Sequence, residues 1–240
     1  MKIYADLHVH TVSSGHAYST VAENAKLAKQ KGLEIMGISD HTAGLPGGAH
    51  VFHFNNLRII PRVIHGVTIL RGAEVNIVDY NGNIDLEEFT LRGLDYAIAS
   101  YHPPCVKSSD DANEVTRGLI SAMHNPYVRI IGHPGDTRYP LNFEETVKAA
   151  KATNTLLEVN NASLKPTSFR PGVRDSLIEM LKFCNKYDCP IIIGTDAHIC
   201  YDVGEFGESI NLLEQVQFPN DLIINSSPNN ICQFLNCVLD

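Results

Sequence analysis

The chain has 240 residues, 44% of them apolar, which predicts one globular domain with a sizeable hydrophobic core. A formal net charge of -8 argues against a nucleic-acid or anionic-membrane surface held by general basicity, but not against an anionic substrate bound beside metal ions. No run approaches the ~20 apolar residues that cross a bilayer, and the N-terminus turns polar too early for a signal peptide. We therefore expect a soluble, cytoplasmic protein.

Seven apolar, β-branched runs predict strands, and longer segments of helical period separate them. The predicted strands are residues 3–8, 34–39, 68–75, 95–100, 128–132, 155–160 and 190–194. The predicted helices are residues 20–31, 111–125, 142–152, 173–187, 205–215 and a short last one near 229–238. Ser19 or Thr20 with Glu23 resembles a capping box, and Gly32 fits the end of the first helix. This alternation predicts an α/β fold with a parallel sheet and crossover helices.

The longest irregular stretch is residues 42–56, which is rich in Gly, Pro, His and Phe. It predicts a loop that covers a site, although a flexible surface loop without a role has the same composition. No repeat, low-complexity tract or interdomain linker interrupts the sequence.

The six cysteines form no close Cys-x-x-Cys pair, and five of them lie in the C-terminal half of the chain. In a cytosolic protein this pattern favours reduced, partly buried thiols over disulfides or a thiolate metal site.

Histidines and acids follow the predicted strands at their C-terminal ends. His8 and His10 end the first strand, and residues two apart in a strand point to the same face. The other residues of this kind, in chain order, are His16, His41, Glu74, His102, His133, Asp196 and His198. In a barrel these strand ends converge on one face, whereas an open sheet would spread them along an edge. The pattern therefore favours a barrel.

Imidazoles and carboxylates are ligands for Zn²⁺, Mn²⁺ and Fe²⁺. Each motif alone has an ordinary alternative, such as a hydrogen-bonded His-x-His pair or a His-Pro turn, but their coincidence on one face favours metal. Nine such groups exceed what one ion uses, so two or three ions are expected, with Glu74 placed to bridge them. Closely spaced ions suit the hydrolysis of a phosphate ester by a metal-bound hydroxide. No general acid is identifiable.

These residues together resemble the PHP (polymerase and histidinol phosphatase) superfamily, nearly end to end. The motifs that carry the resemblance are Asp6-Leu7-His8-Val9-His10, Ser39-Asp40-His41, Gly72-Ala73-Glu74, the strand ends at His102 and His133, and Asp196-Ala197-His198. Residues 11–19, 69–76, 132–135 and 158–161 are most similar to the single-domain bacterial YcdX-type phosphatases. The resemblance implies a distorted (β/α)7 TIM-like barrel forming one PHP-type domain over residues 1–240.

The resemblance also implies three divalent ions, usually zinc and sometimes manganese or iron. The first ion would be held by His8, His10, Glu74 and Asp196. The second would be held by His16, His41 and His198. The third would be held by the bridging Glu74 with His102 and His133.

Residues beyond the ligands have less specific expectations. Asp6 and Asp40 are placed to orient ligand histidines through ring N–H groups, or to make structural hydrogen bonds. Asn160 and Asn161 follow the sixth strand and could contact substrate or cap a turn. The predicted phosphate or leaving-group contacts are Arg138, Tyr101 and His53. The remaining histidines, expected to be ordinary surface or loop residues, are His50, His65 and His124.

The favoured function is that of a metal-dependent phosphatase acting on a small phosphorylated metabolite, with no membrane partner and no nucleic acid expected. A phosphodiesterase or nuclease is an alternative, which a basic or aromatic rim near the barrel mouth would favour. Histidinol phosphatase is another, because relatives in the superfamily catalyse that step. A hypothesis of a different class is a non-catalytic metal-binding module, although structural zinc sites usually have four closed ligands.

Overall fold

Seven parallel strands form a nearly closed barrel surrounded by helices in the computed structural model, which describes residues 1–236. With one short additional strand, the described residues form eight strands in all. They are β1 (Ala5–Asp6), β2 (Ile35–Ile38), β3 (Val63–Ile64), β4 (Val67–Asn76), β5 (Tyr96–Ser100), β6 (Val128–Ile131), β7 (Leu156–Asn160) and β8 (Ile191–Gly194). The short β3 pairs antiparallel with β4, and the others pair in the order β1-β2-β4-β5-β6-β7-β8. The seven predicted strands and the distorted (β/α)7 barrel are confirmed.

Nine α-helices lie within the described residues. They are α1 (Val21–Gln30), α2 (Val51–Asn56), α3 (Glu88–Leu91), α4 (Ala112–Met123), α5 (Phe143–Thr153), α6 (Asn161–Leu164), α7 (Val173–Lys186), α8 (Gly207–Gln215) and α9 (Pro228–Leu235). The six predicted helices correspond to α1, α4, α5, α7, α8 and α9. The last predicted helix reaches residue 238, and its final two positions lie outside the described residues.

The capping predicted for α1 is confirmed. Thr20 accepts the backbone N–H of Glu23, while the Glu23 carboxylate accepts the backbone N–H of Thr20 at 2.7 Å. Gly32, with φ of 80°, takes the left-handed conformation that ends the helix. The expectation that residues 42–56 form an irregular loop is partly wrong, because α2 occupies the end of that stretch. His50 caps α2 by accepting the backbone N–H of Phe52 at 3.2 Å.

The barrel closes between β1 and β8, just beyond the ends of both strands. Val9 and Ala197 form a parallel bridge, and the Asp6 carboxylate accepts the Thr195 hydroxyl at 2.5 Å and the Gly204 N–H at 3.0 Å. Burial raises the pKa of Asp6 to about 6, against the effect of these hydrogen bonds. Of the two roles expected for Asp6, the structure shows structural hydrogen bonding rather than orientation of a ligand histidine ring, since its carboxylate accepts backbone and hydroxyl groups that join the first strand to the last.

The middle of the barrel is apolar, and Tyr96 fills much of it. Its hydroxyl donates to the Leu7 carbonyl at 2.6 Å. Gly37 and Gly72 make room for the ring, because a Cβ at these positions would lie 2.0 and 2.5 Å from Tyr96 atoms. Polar side chains are therefore placed above this plug, at the C-terminal end of the barrel, where α/β barrels carry their active sites.

Cys105, Cys184, Cys189 and Cys200 are free thiols, and Cys237 lies outside the described residues. None of the described helices is long and apolar enough to cross a bilayer.

Candidate metal centre

The nine histidines and acids predicted at the strand ends lie together at the C-terminal end of the barrel. We call this set the histidine–acid cluster; its members are His8, His10, His16, His41, Glu74, His102, His133, Asp196 and His198. Seven of them are at most 7% exposed, while His16 and His198 lie nearer to solvent. His50, His65 and His124 lie outside the cluster, as predicted.

Glu74 lies at the centre of the cluster, with a different set of histidines at each carboxylate oxygen. Oε2 is 2.9 Å from His41 Nδ1 and 3.3 Å from His8 Nε2. Oε1 is 3.0 Å from His133 Nε2 and accepts the Ser100 hydroxyl at 2.7 Å. One carboxylate facing two sets of nitrogen ligands is the geometry of a bridging group.

Asp196 is the second acid of the cluster. Its Oδ1 is 3.2 Å from His10 Nε2 and 3.5 Å from His8 Nε2. Asp196 and His133 also have left-handed backbones, with φ of 56° and 34°. Non-glycine residues in this region are concentrated at functional sites, where the surrounding structure holds them in place.

The most exposed part of the cluster contains His16 and His198, whose Nε2 atoms are 3.0 Å apart. Two imidazole nitrogens at this distance, with the His16 and His41 rings 5.1 Å apart, leave room for a shared cation. The ligand atoms of each of three overlapping groups lie within 4.8 Å of one another. These groups are His10, His41 and His198; His8, His10 and Glu74; and His41, Glu74 and His102. The cluster is thus continuous, and its groups share residues.

Several polar atoms that face the centre of the cluster are buried and have no hydrogen-bond partner among residues 1–236. They are His8 Nε2, His10 Nε2, His41 Nδ1, His102 Nε2 and Glu74 Oε2. A buried polar atom without a partner costs ~1–3 kcal/mol, more for a charged group. Five such atoms directed at one space fit divalent metal ions, which would satisfy all of them.

The opposite ring nitrogens of two cluster histidines, His8 and His102, are held by acceptor side chains. Glu158 Oε1 lies 2.7 Å from His8 Nδ1, and Asn76 Oδ1 lies 2.7 Å from His102 Nδ1. Because these oxygens accept, Nδ1 carries the proton and Nε2 presents its lone pair to the cluster. Metal-binding histidines are usually oriented in this way. Glu158 and Asn76 were not predicted as such partners, although Glu158 was recognisable as an acid within an otherwise apolar strand.

Asp40 supports the cluster through Ser14. The Ser14 hydroxyl donates to Asp40 Oδ1 at 2.6 Å, and its oxygen lies 3.2 Å from His10 Nδ1. The predicted orienting role of Asp40 is thus indirect. His53, predicted to contact phosphate, instead directs Nε2 at Asp40 Oδ2, 3.1 Å away. Although burial raises the pKa of Asp40, the hydrogen bond from His53 and the neighbouring groups lower it to about 2.

The electrostatics of the cluster favour neutral imidazoles at His10 and His102 beside an ionised acid. His8 differs: burial alone would lower its pKa, but the carboxylates of Glu158, Glu74 and Asp196 raise it well above 6.5. Burial and the neighbouring His41 lower the pKa of His10 to about 3, and burial lowers that of His102 to about 4. Burial alone would raise the pKa of Glu74, but His8 and His41 hold it well below 4.5. Neutral histidine and ionised carboxylate are the protonation states that bind metal.

Two further predicted contacts point away from the cluster. The Tyr101 hydroxyl donates to the Val115 carbonyl at 3.1 Å, so only its ring reaches the site. Asn161 accepts the Ser209 N–H at 3.0 Å and thereby anchors α8. Asn160 does reach the cluster, because its Nδ2 lies 3.3 Å from Asp196 Oδ2, while its Oδ1 caps α6 by accepting the Ser163 N–H.

A pocket of about 770 Å³ opens onto the cluster, and Arg138 lines it as predicted for a substrate contact. Arg170, which was not predicted, reaches deeper: its Nη1 is 3.1 Å from Asp196 Oδ2 and its side chain is 8% exposed. Its Nε is buried without a hydrogen-bond partner among the described residues. No local pattern marks Arg170, since a loop after α6 brings it to the site.

The comparisons with known proteins agree with this geometry. The PHP domain family model matches residues 6–165. A protein named "Probable phosphatase" from Clostridium novyi (strain NT) is 44% identical over 235 residues, covering 98% of this chain and 95% of the relative. Another "Probable phosphatase", from Caldanaerobacter subterraneus subsp. tengcongensis, is 43% identical over 235 residues, covering 98% of this chain and 92% of its own length.

Among solved structures, the histidinol phosphate phosphatase from Lactococcus lactis subsp. lactis Il1403 shares the fold. That structure is a complex with Zn, L-histidinol and phosphate, and it matches with a TM-score of 0.59 at 16% identity. The match covers 90% of this chain and 94% of the Lactococcus lactis chain. Together with the full-length relatives, the matches confirm the predicted enzyme class, a hydrolase of phosphoric esters. The chain belongs to the PHP domain family.

Proposed function

We propose that the histidine–acid cluster holds three divalent metal ions, with zinc as the favoured metal. We also propose that the chain hydrolyses the monoester of a small phosphorylated metabolite. One observation carries the proposal: buried ring nitrogens and a carboxylate oxygen face one another without partners, while the protein holds the opposite ring nitrogens. A network arranged only for hydrogen bonding would not leave these atoms unsatisfied.

The ligand sets implied by the family resemblance remain the proposed ones. Glu74 bridges two ions, one with His8, His10 and Asp196 and the other with His102 and His133. His16, His41 and His198 take the third ion, on the solvent side. The distances support a bridge by Glu74 and a site between His16 and His198. Zinc suits the imidazole-rich donor set, as do manganese and iron to a lesser degree, and zinc is the metal in the Lactococcus lactis structure.

Bound divalent ions would supply an activated water at neutral pH and would offset the negative charge on phosphate oxygens. The chain's own contribution is to position and neutralise the substrate. Arg170 adds a fixed positive charge at the edge of the cluster, where its guanidinium contacts Asp196 and lines the pocket. Ser163 fixes the orientation of Arg170 by accepting Nη1–H at 2.8 Å. A phosphate dianion is attracted there despite the acidic protein around it.

A phosphodiesterase or nuclease is the second candidate, because the pocket rim is partly basic and aromatic. Lys165, Phe169 and Arg138 line it. The monoesterase is favoured because Lys165 and Arg138 are each paired with an acid, Asp202 at 3.0 Å and Asp136 at 2.5 Å, which leaves little free charge to follow a nucleic-acid backbone. Histidinol phosphate is one of the monoesters to be tested.

The test compares hydrolysis of p-nitrophenyl phosphate with that of its bis-ester by the metal-loaded protein. EDTA treatment, with Zn²⁺ or Mn²⁺ added back, and an Asp196→Asn variant serve as controls. Asparagine tolerates the left-handed backbone at this position, so the variant removes charge without added strain. We expect metal-dependent hydrolysis of the monoester that is lost in the variant.

Preference for the bis-ester would replace the proposal with the phosphodiesterase. Bound metal without turnover of either ester, or of histidinol phosphate, would support the non-catalytic metal-binding module instead.

A further inference from the structure

The pocket above the histidine–acid cluster is larger than a phosphoryl group needs. Its volume of about 770 Å³ falls within the range of ~300–1,000 Å³ found for sites that enclose an organic ligand of drug size. Five cluster residues line its inner end, so a phosphoryl group bound there leaves most of the space for the rest of the substrate. The pocket therefore encloses the leaving group as well.

Four apolar residues contribute to the wall around this space: Leu45, Pro46, Pro103 and Pro104. The basic side chains at the rim largely form ion pairs with acidic residues. Lys165 Nζ lies 3.0 Å from Asp202 Oδ2, and Arg138 is bound to Asp136 through several hydrogen bonds. A leaving group rich in hydroxyls would lose its hydration against these proline rings. The wall thus favours an apolar leaving group.

Phe169 supplies an aromatic surface to the same pocket. Its side chain is 74% exposed although it lies beside the cluster. Its ring centroid is 5.2 Å from the guanidinium carbon of Arg170 and 5.3 Å from that of Arg138. Since Arg170 also contacts Asp196, one guanidinium group separates the ring from the cluster. Cation–π contacts hold the ring in place while leaving most of its surface open.

We propose that Phe169 forms a subsite for a planar ring on the leaving group, so that the substrates are monoesters of aromatic or heteroaromatic groups rather than of sugars or polyols. The inference rests on the proposed function, because it takes the phosphoryl group to bind at the cluster. The leaving group of such an ester contacts the Phe169 ring and the apolar residues that line the same pocket.

The experiment measures calorimetric binding of phenylphosphonate and methylphosphonate to the zinc-loaded protein, at a pH where both are dianions. Neither compound is hydrolysed, and the two differ only in the ring. We expect phenylphosphonate to bind ~10- to 100-fold more tightly, as aromatic stacking typically contributes. Phe169→Ala removes most of this preference and leaves methylphosphonate binding unchanged, while Phe169→Tyr keeps the preference.

Phe89→Ala is the matched control, because Phe89 is 80% exposed on α3 and does not line the pocket. Equal binding of the two phosphonates to the wild-type protein would overturn the inference, as would a phenyl preference that survives Phe169→Ala. The readout does not use turnover. A protein that binds phenylphosphonate through Phe169 but hydrolyses no monoester would contradict the proposed function and still support the ring subsite.

Discussion

The floor of the pocket and its outer wall differ in how firmly the protein holds them. The floor consists of side chains at strand ends, and most of them are buried. Neighbouring residues such as Glu158 hold the histidine rings of the floor in their orientation. The wall is formed largely by loops, among them the loop after α6, where Phe169 is 74% exposed. Barrel enzymes commonly separate chemistry, placed on rigid strands, from substrate selection, placed on loops. We therefore expect changes in the floor to affect metal binding and catalysis, and changes in the wall to affect which substrate binds.

The largest effect is expected from Glu74→Gln in the floor. Glutamine keeps the shape of the side chain but removes the charge that we propose bridges two ions, so turnover falls by ~10³-fold or more. The bound metal, measured on the same sample, falls with it. Glu88→Gln on the exposed face of α3 is the control and leaves both values unchanged. Full activity in Glu74→Gln would contradict the proposed bridging role of Glu74.

A smaller effect on the floor is expected from Glu158→Gln. The glutamine amide can still accept the His8 Nδ1 proton, but the negative charge that makes the ring more basic is lost, and changes to such partners typically lower metal affinity ~10- to 100-fold. Titration against a metal chelator measures the change. Glu179→Gln, on the exposed face of α7, serves as the comparison. An unchanged affinity would show that the charge of Glu158 does not strengthen metal binding by His8.

The boundary between floor and wall is probed by Arg170→Gln. We expect inorganic phosphate to inhibit ~10-fold more weakly, because a charge-assisted contact is lost, while metal content stays the same. A loss of bound metal would instead show that Arg170 acts only by positioning Asp196. The inhibition constant and the metal content, determined on one preparation, separate the two outcomes.

The smallest effect is expected from Tyr101→Phe. The hydroxyl bonds to the Val115 carbonyl, so its loss lowers the free energy of unfolding by ~0.5–1.5 kcal/mol without changing turnover. Denaturant unfolding and steady-state kinetics measure the two quantities. A drop in kcat/KM without a change in stability would restore the substrate contact that the sequence predicted for Tyr101.

The floor could be predicted from the sequence because strand ends converge. His8 and His10 follow an apolar run, and alternation alone places them on one face. Their hydrogen-bond partners were harder to predict, since Ser14 and Asn76 meet the rings only after the barrel has closed. The direction of a side chain could not be predicted either. Tyr101 lines the pocket, but its hydroxyl points away from the cluster, to the Val115 carbonyl.

The wall could not be predicted for a related reason. Arg170 comes from a loop whose path depends on distant contacts, such as the Thr137 hydroxyl that donates to the Pro171 carbonyl at 2.8 Å. Gly172, with φ of 66°, then turns the chain into α7. Local periodicity carries no information about such a path, so neither Arg170 nor Phe169 stood out as a site residue.

The metal content of the wild-type protein tests the central claim most directly. Elemental mass spectrometry is performed after reconstitution with zinc and removal of loosely bound ions. We predict three zinc ions per chain, and a reduced number in Glu74→Gln. Fewer than two ions per wild-type chain would contradict the multinuclear centre.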